Sequence, residues 1–290
     1  MSNELWTPTK AANRLIQIAR IFSNAHGVSR FPVDIKQLAL EAGNLFHWED
    51  PISEVKSASI ESFEGALFPD EGKRKWMLLY NDALRSPGRV RFTQAHELGH
   101  YILHRQTCES FECSSEDMLN WSDEEKNMEG QADLFASYLL MPLDDFRTQA
   151  DLGCDLDILG ACADRYGVSL QAVILKWLSY TDEKAVILMS RDGYINWAWS
   201  SKAAFKAGAF FKTKSNPIPI PTASLAANQM VTVERSGASL PAQIWFPYAN
   251  PDLTLTEMKI YSEHYDSVLT LLRLPRYADV WKPRTWDGDQ

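Results

Sequence analysis

The sequence predicts an α+β protein in two parts, residues 1–182 with mixed helices and strands and residues 183–290 rich in strands. Three observations point there. Apolar residues recur at three- and four-residue spacing in several segments of the first part. Short β-branched and aromatic runs, bounded by Gly, Pro and Asp, lie between those segments. After residue 185 the composition shifts toward strand formers and turn residues.

Taken in order, residues 8–25 place Leu15, Ile18, Ala19 and Phe22 on one stripe and predict an amphipathic helix. Pro32-Val33-Asp34 opens a second helix that Gly43 is expected to end. Strands follow at 45–48, at 58–68 with Gly65 inside, and at 76–80, the last two joined by the Asp70-Glu71-Gly72 turn. A third helix is expected from Thr93, as N-cap, to His104, with Pro87-Gly88 in the loop before it. Residues 109–127 are acidic and poorly periodic, which predicts a surface loop. From Asn127 the helical pattern returns through Ala132, Phe135, Ala136, Leu139 and Leu140, and Pro142 stops it.

Residues 155–180 read as two short helices joined at Gly167-Val168-Ser169, a pattern resembling a helix-turn-helix. The second helix carries Lys176 as its only basic residue, so packing is a better reading than phosphate contact. In the second part, strands are expected at 186–189 and 194–199 around the Arg191-Asp192-Gly193 turn, then at 230–235, 242–247 and 267–274. The Pro217–Pro221 segment alternates Pro and Ile and is expected to be extended.

The chain has 290 residues, with 38 Asp and Glu against 29 Lys and Arg, a net charge of −9. This deficit of cations speaks against direct nucleic-acid binding over a broad face, because phosphate binding depends on Lys and Arg displacing counterions. The first residues lack a secretory signal, and no run approaches the roughly 18 apolar residues of a membrane span, so a cytoplasmic location without membrane contact is expected. Four sparse cysteines (Cys108, Cys113, Cys154 and Cys162) match no CxxC zinc module and read as reduced thiols.

The informative segment is His96-Glu97-Leu98-Gly99-His100. On a helix, residues four apart share a face one turn apart, so the two imidazoles can coordinate one cation. Glu97 between them can act on the water at that cation, as general base and then as proton donor to a leaving amine. A catalytic zinc site needs a third protein ligand and one open position. Glu129, at the start of the following helix, suits that role, and Asp133 one turn later suits an outer hydrogen bond that fixes an imidazole tautomer. Asp133 is the competing third ligand. His104 extends the same face but lies about 12 Å along the axis from His96, too far to share the ion, and reads as structural. His26, His47 and His264 also read as structural. The acidic run from Glu109 to Glu125 reads as a solvated loop bordering the cleft.

The segment RFTQAHELGH at 91–100, followed by EGQADLFASYLLMP at 129–142, resembles the ImmA/IrrE family of metallopeptidases. Phe31-Pro32-Val33-Asp34-Ile35 and Tyr166-Gly167-Val168-Ser169 resemble its flanking segments, so the likeness spans roughly residues 8–180. The chain departs from it at Asp133, where the family often has Asn, and at Lys176-Trp177-Leu178, where an Arg-Leu pair is usual. The resemblance implies a zincin-like (gluzincin-type) core with helical flanks, and two His and one Glu on a metal ion. Zinc is the default, and manganese or iron suit the same donors. It further implies cleavage of a helix-turn-helix repressor, which derepresses prophage, mobile-element or stress-response genes. Some members carry a GAF-like sensor domain, which the resemblance offers for residues 183–290, a sensor-like or substrate-recognising part without a signature of its own. Two readings of another class compete: a catalytically inactive regulator with a structural metal site, and an antitoxin-like interaction module.

Overall fold

A computed structural model describes residues 6–59, 63–84, 86–107, 111–114, 123–150, 154–214 and 216–282. The chain is a mixed helix and strand protein of two compact units. One comprises Met1–Gln149 with Cys162–Ser169, the other Ala150–Ala161 with Leu170–Gln290.

In the first unit, α1 (Pro8–His26) and α2 (Ile35–Phe46) precede strands β1 (Ile52–Ser57), β2 (Phe63–Pro69) and β3 (Trp76–Tyr80). Then come α3 (Pro87–His104), β4 (Phe111–Ser114), α4 (Asp123–Leu140) and α5 (Leu143–Gln149). The sheet order is β1-β3-β2-β4, with β1 parallel to β3 and the other pairs antiparallel. Thr7 caps α1 by accepting from the Lys10 amide, Pro8 occupies its first turn, and Gly27 ends it at φ 65°. The buried stripe of α1 is Ala11, Ala12, Leu15 and Ile16, one turn N-terminal of the expected one, while Phe22 is exposed and stacks on His26.

Several sequence expectations are corrected here. Gly43 does not end α2. A Cβ there would come within 2.9 Å of the Pro51 backbone, so this glycine serves a close approach, and the helix runs on to a left-handed cap at His47. Residues 45–48 are therefore not a strand; the first strand is β1. Of the expected strand at 58–68, β2 from Phe63 to Pro69 is present, and residues 60–62 lie outside the described residues. The third helix begins at Pro87, whose fixed φ and missing amide hydrogen suit a first turn, so Thr93 lies inside α3 and is buried rather than capping it. Strand β4 lies within the segment expected to be loop; Cys108 and most of the acidic run from Glu109 to Glu125 lie outside the described residues.

The buried α3 is anchored at both ends of its exit. Tyr101 Oη donates to the Asp50 carbonyl at 3.0 Å, and Arg105 Nε donates to the Asp50 carboxylate at 3.2 Å while its guanidinium lies 3.3 Å from the Trp48 ring centre. Along its length α3 packs on β2, β3 and α4.

The second unit holds α7 (Leu170–Tyr180) and a six-stranded antiparallel sheet. Its strands are β5 (Lys184–Arg191), β6 (Tyr194–Ser200), β7 (Ile218–Pro219), β8 (Val233–Pro241), β9 (Thr254–Ser262) and β10 (Ser267–Leu274), in the order β7-β6-β5-β10-β9-β8. α8 (Lys202–Lys206) follows β6, and α6 (Leu156–Tyr166) is shared between the units. Asp192 and Gly193, both at positive φ, make the β5–β6 turn. Residues 242–247 are not a strand, since Ala242–Ile244 form a 3-10 turn whose neighbours Trp245 and Phe246 fill the core beside Val186, Leu188, Leu255 and Leu272. Buried Glu257 accepts from Trp245 Nε1 at 2.8 Å and the Ala226 amide at 2.6 Å, and Lys259 donates to the carbonyls of Leu225 and Asn228. These bonds tie the 225–228 segment to β9. Among the described residues no single helix is long and apolar enough to cross a membrane.

One contact sets the spacing of α3 and α4. A Cβ on Gly99 would sit 3.2 Å from Ala132 Cα, 3.3 Å from its carbonyl oxygen and 3.0 Å from the Phe135 ring. Gly99→Val is expected to force the helices apart and destabilise the first unit by about 1–3 kcal/mol, the range for overpacked cores, seen as a lower urea midpoint. An unchanged midpoint would show that this contact does not set the spacing.

Candidate metal centre

The faces of α3 meet two different surroundings, α4 and β2. His96 and His100 point toward α4, Gly99 packs on Ala132 between the two helices, and Thr93 and Glu97 face β2. Both histidines are almost fully buried, as is Glu97.

Glu129 and Asp133, one turn apart on α4, meet the histidine face. Glu129 Oε2 lies 2.9 Å from His96 Nε2, and its Oε1 lies 3.2 Å from His100 Nε2. The two Nε2 atoms are themselves 2.9 Å apart. Donors at the about 2.0–2.1 Å typical of zinc stand about 3.3 Å apart in a tetrahedron. The three side chains therefore converge with nearly the separations of a shared ion, and among the described residues they form a group suited to hold one. The donor chemistry fits, with two neutral nitrogens and one carboxylate.

Asp133 is not part of that convergence. Its Oδ1 lies 2.9 Å from Nδ1 of His96, on the far side of the ring, and its side chain is 59% exposed. A single imidazole presents its two nitrogens in divergent directions, so a partner at Nδ1 leaves Nε2 for the centre and fixes the tautomer. The exposed Asp133 also marks the side on which the site meets solvent.

The electrostatics suit cation binding. Burial lowers the pKa of His100, which favours the neutral ring that can act as a ligand. Burial would raise Glu129, but hydrogen bonds from His100 and His96 outweigh it and hold its carboxyl well below the usual carboxylate range. His104 is depressed to about 4, first by burial and then by the neighbouring His100. His104 meets the centre at His100, with the two Nδ1 atoms 3.1 Å apart.

The surroundings of Glu97 carry no local sequence signal. A Cβ at Gly65 on β2 would lie 2.8 Å from Glu97 Oε1 and 2.5 Å from Thr93 Cγ2, so only glycine lets the strand pass against this carboxylate. Beside it, Arg89 and Glu64 form an ion pair between α3 and β2. His26, His47 and His264 take no part in the centre. Of the cysteines, Cys154 and Cys162 are buried and lie apart from it in sequence.

Comparisons with known proteins agree with this arrangement. Residues 49–178 match the family model of the IrrE N-terminal-like domain, Peptidase_M78. Among solved structures, a Mycobacterium tuberculosis transcriptional regulator shares the fold at 14% identity and a TM-score of 0.50, covering 93% of this chain and 82% of that one. No curated protein matches the chain. The matched segment, residues 49–178, contains both α3 and α4 and is similar to the IrrE N-terminal-like domain.

Proposed function

We propose that the protein is a cytoplasmic, metal-dependent endopeptidase of zincin type, with His96, His100 and Glu129 holding the ion and Glu97 as the catalytic carboxylate. The convergence of both Nε2 atoms on one carboxylate, with Glu97 on the next face of the same helix, is the observation that carries this reading. A divalent cation bound there, zinc by donor type with manganese or iron as substitutes, supplies Lewis acidity that acidifies water and polarises the scissile carbonyl. Glu97 takes the proton from the attacking water and delivers it to the departing amine nitrogen. The packing of Gly65 and Thr93 holds that carboxylate in one place before substrate arrives. Asp133, by accepting from His96 Nδ1, holds that ring with Nε2 toward the centre.

The proposed substrate is a helix-turn-helix repressor, whose cleavage would derepress the genes it silences. Support comes from the family resemblance and from charge, since a chain at −9 complements a basic DNA-binding protein. The structural neighbour's description as a transcriptional regulator suits a role in gene control. A GAF-like, sensor or substrate-recognising role for residues 183–290 is part of the same proposal, supported by an antiparallel sheet with a separate core.

Glu97→Gln is expected to reduce cleavage of a helix-turn-helix repressor by about 10²–10⁴-fold, the usual contribution of a general base, while metal content by elemental analysis stays at the wild-type level. A chelator should abolish wild-type cleavage and added zinc restore it. Undiminished cleavage by Glu97→Gln would sink the mechanism. Gly65→Ala should push the Glu97 carboxylate aside and lower kcat at least about tenfold with metal content again unchanged, since small misplacements of a reacting group are costly. If charge steers the repressor to the enzyme, kcat/KM should fall as salt rises from 50 to 300 mM, roughly the range over which the Debye length halves. A flat salt profile would count against steering.

A further inference from the structure

The two proposed metal-ligating imidazoles differ in what holds them from behind. His96 Nδ1 faces the exposed carboxylate of Asp133. His100 is fully buried, and its Nδ1 faces another imidazole, His104, at 3.1 Å between Nδ1 atoms and 5.2 Å between ring centres. His104 sits four residues beyond His100 on α3, the spacing that separates His100 from His96. It is itself almost fully buried.

We infer that His104 is a positioning residue that accepts the Nδ1–H of His100 and so commits Nε2 of His100 to the metal. A neutral imidazole carries one N–H, and a ring that gives Nε2 to a cation must keep its proton on Nδ1. Of the two rings in this contact, one donates and the other accepts, and His100 must donate for the centre to form. His104 then keeps its own proton on Nε2. A carboxylate would accept the same bond, but at this depth it would carry a large desolvation cost, whereas a neutral ring carries a far smaller one. At the exposed end of the site that cost is small, and there the partner is Asp133.

This inference rests on the metal-site reading, and the test separates the two. Zinc affinity of full-length metal-free protein is measured by competition with a chromogenic chelator for wild type, His104→Asn and His104→Phe, alongside the unfolding midpoint of each metal-free form. Asn places an acceptor oxygen near the Nδ1 position and should bind zinc within about threefold of wild type. Phe fills the volume without an acceptor and should bind about tenfold to a hundredfold more weakly, as when other outer partners of metal ligands are lost. A purely structural His104 gives another order, with Phe the more stable substitute and zinc affinity following the midpoint. Equal affinities for wild type and His104→Phe, or equal losses in both variants, overturn the inference while leaving the metal site standing. Wild-type protein that binds no zinc overturns both. Should His104→Phe fail to fold, His104→Leu replaces it with the same expectation.

Discussion

The candidate site depends on how closely α3 and α4 approach at Gly99 and Ala132. His96 and His100 come from one helix and Glu129 from the other, so their convergence at 2.9–3.2 Å requires the backbones to meet with almost no side chain between them. Glycine at 99 and alanine at 132 allow that, and Phe135 closes the contact beside them. The Asp50 anchors at Tyr101 and Arg105 fix the end of α3 to the edge of the sheet, which sets where along α4 the histidines arrive.

A second close approach governs the other face of the helix. Gly65 lets β2 pass against Thr93 and Glu97, which leaves the carboxylate buried and confined against the strand. Burial at this site serves more than packing. It favours the neutral forms of His100 and His104, while hydrogen bonds from His96 and His100 offset the cost of burying Glu129 as an anion. The outcome is a centre with an ionised carboxylate from Glu129 and a neutral ring at His100, with the exposed Asp133 on one side. The outer partners follow the same gradient, charged where water reaches and neutral where it does not.

Legibility in the sequence was uneven, for physical reasons. Segments with a strong local rule were readable: β3 and β10 from their apolar runs, the β5–β6 turn from Asp192-Gly193, and the paired helices around Gly167. Where tertiary packing overrides local preference, the reading failed. Gly43 looked like a helix stop but makes room for Pro51, and its helix continues through residues that resembled a strand. Thr93 looked like an N-cap but is buried against β2, because Pro87 starts α3 two turns earlier. Ala242 to Ile244 resembled a strand but form a tight turn that delivers Trp245 and Phe246 to the core.

The sequence by itself determined the helix that carries the candidate histidine ligands, because the four-residue spacing of His96 and His100 is a property of one helix and needs no partner. It also determined that Glu129 and Asp133 share a face one turn apart on the following helix. Only the tertiary structure decided which of those two carboxylates meets both Nε2 atoms, that Gly65 and Gly99 are the points of close approach, and that His104 backs His100. Those outcomes turn on distances between elements far apart in the chain. Such distances are set by the smallest side chains at the contacts, which no periodicity within a single element encodes.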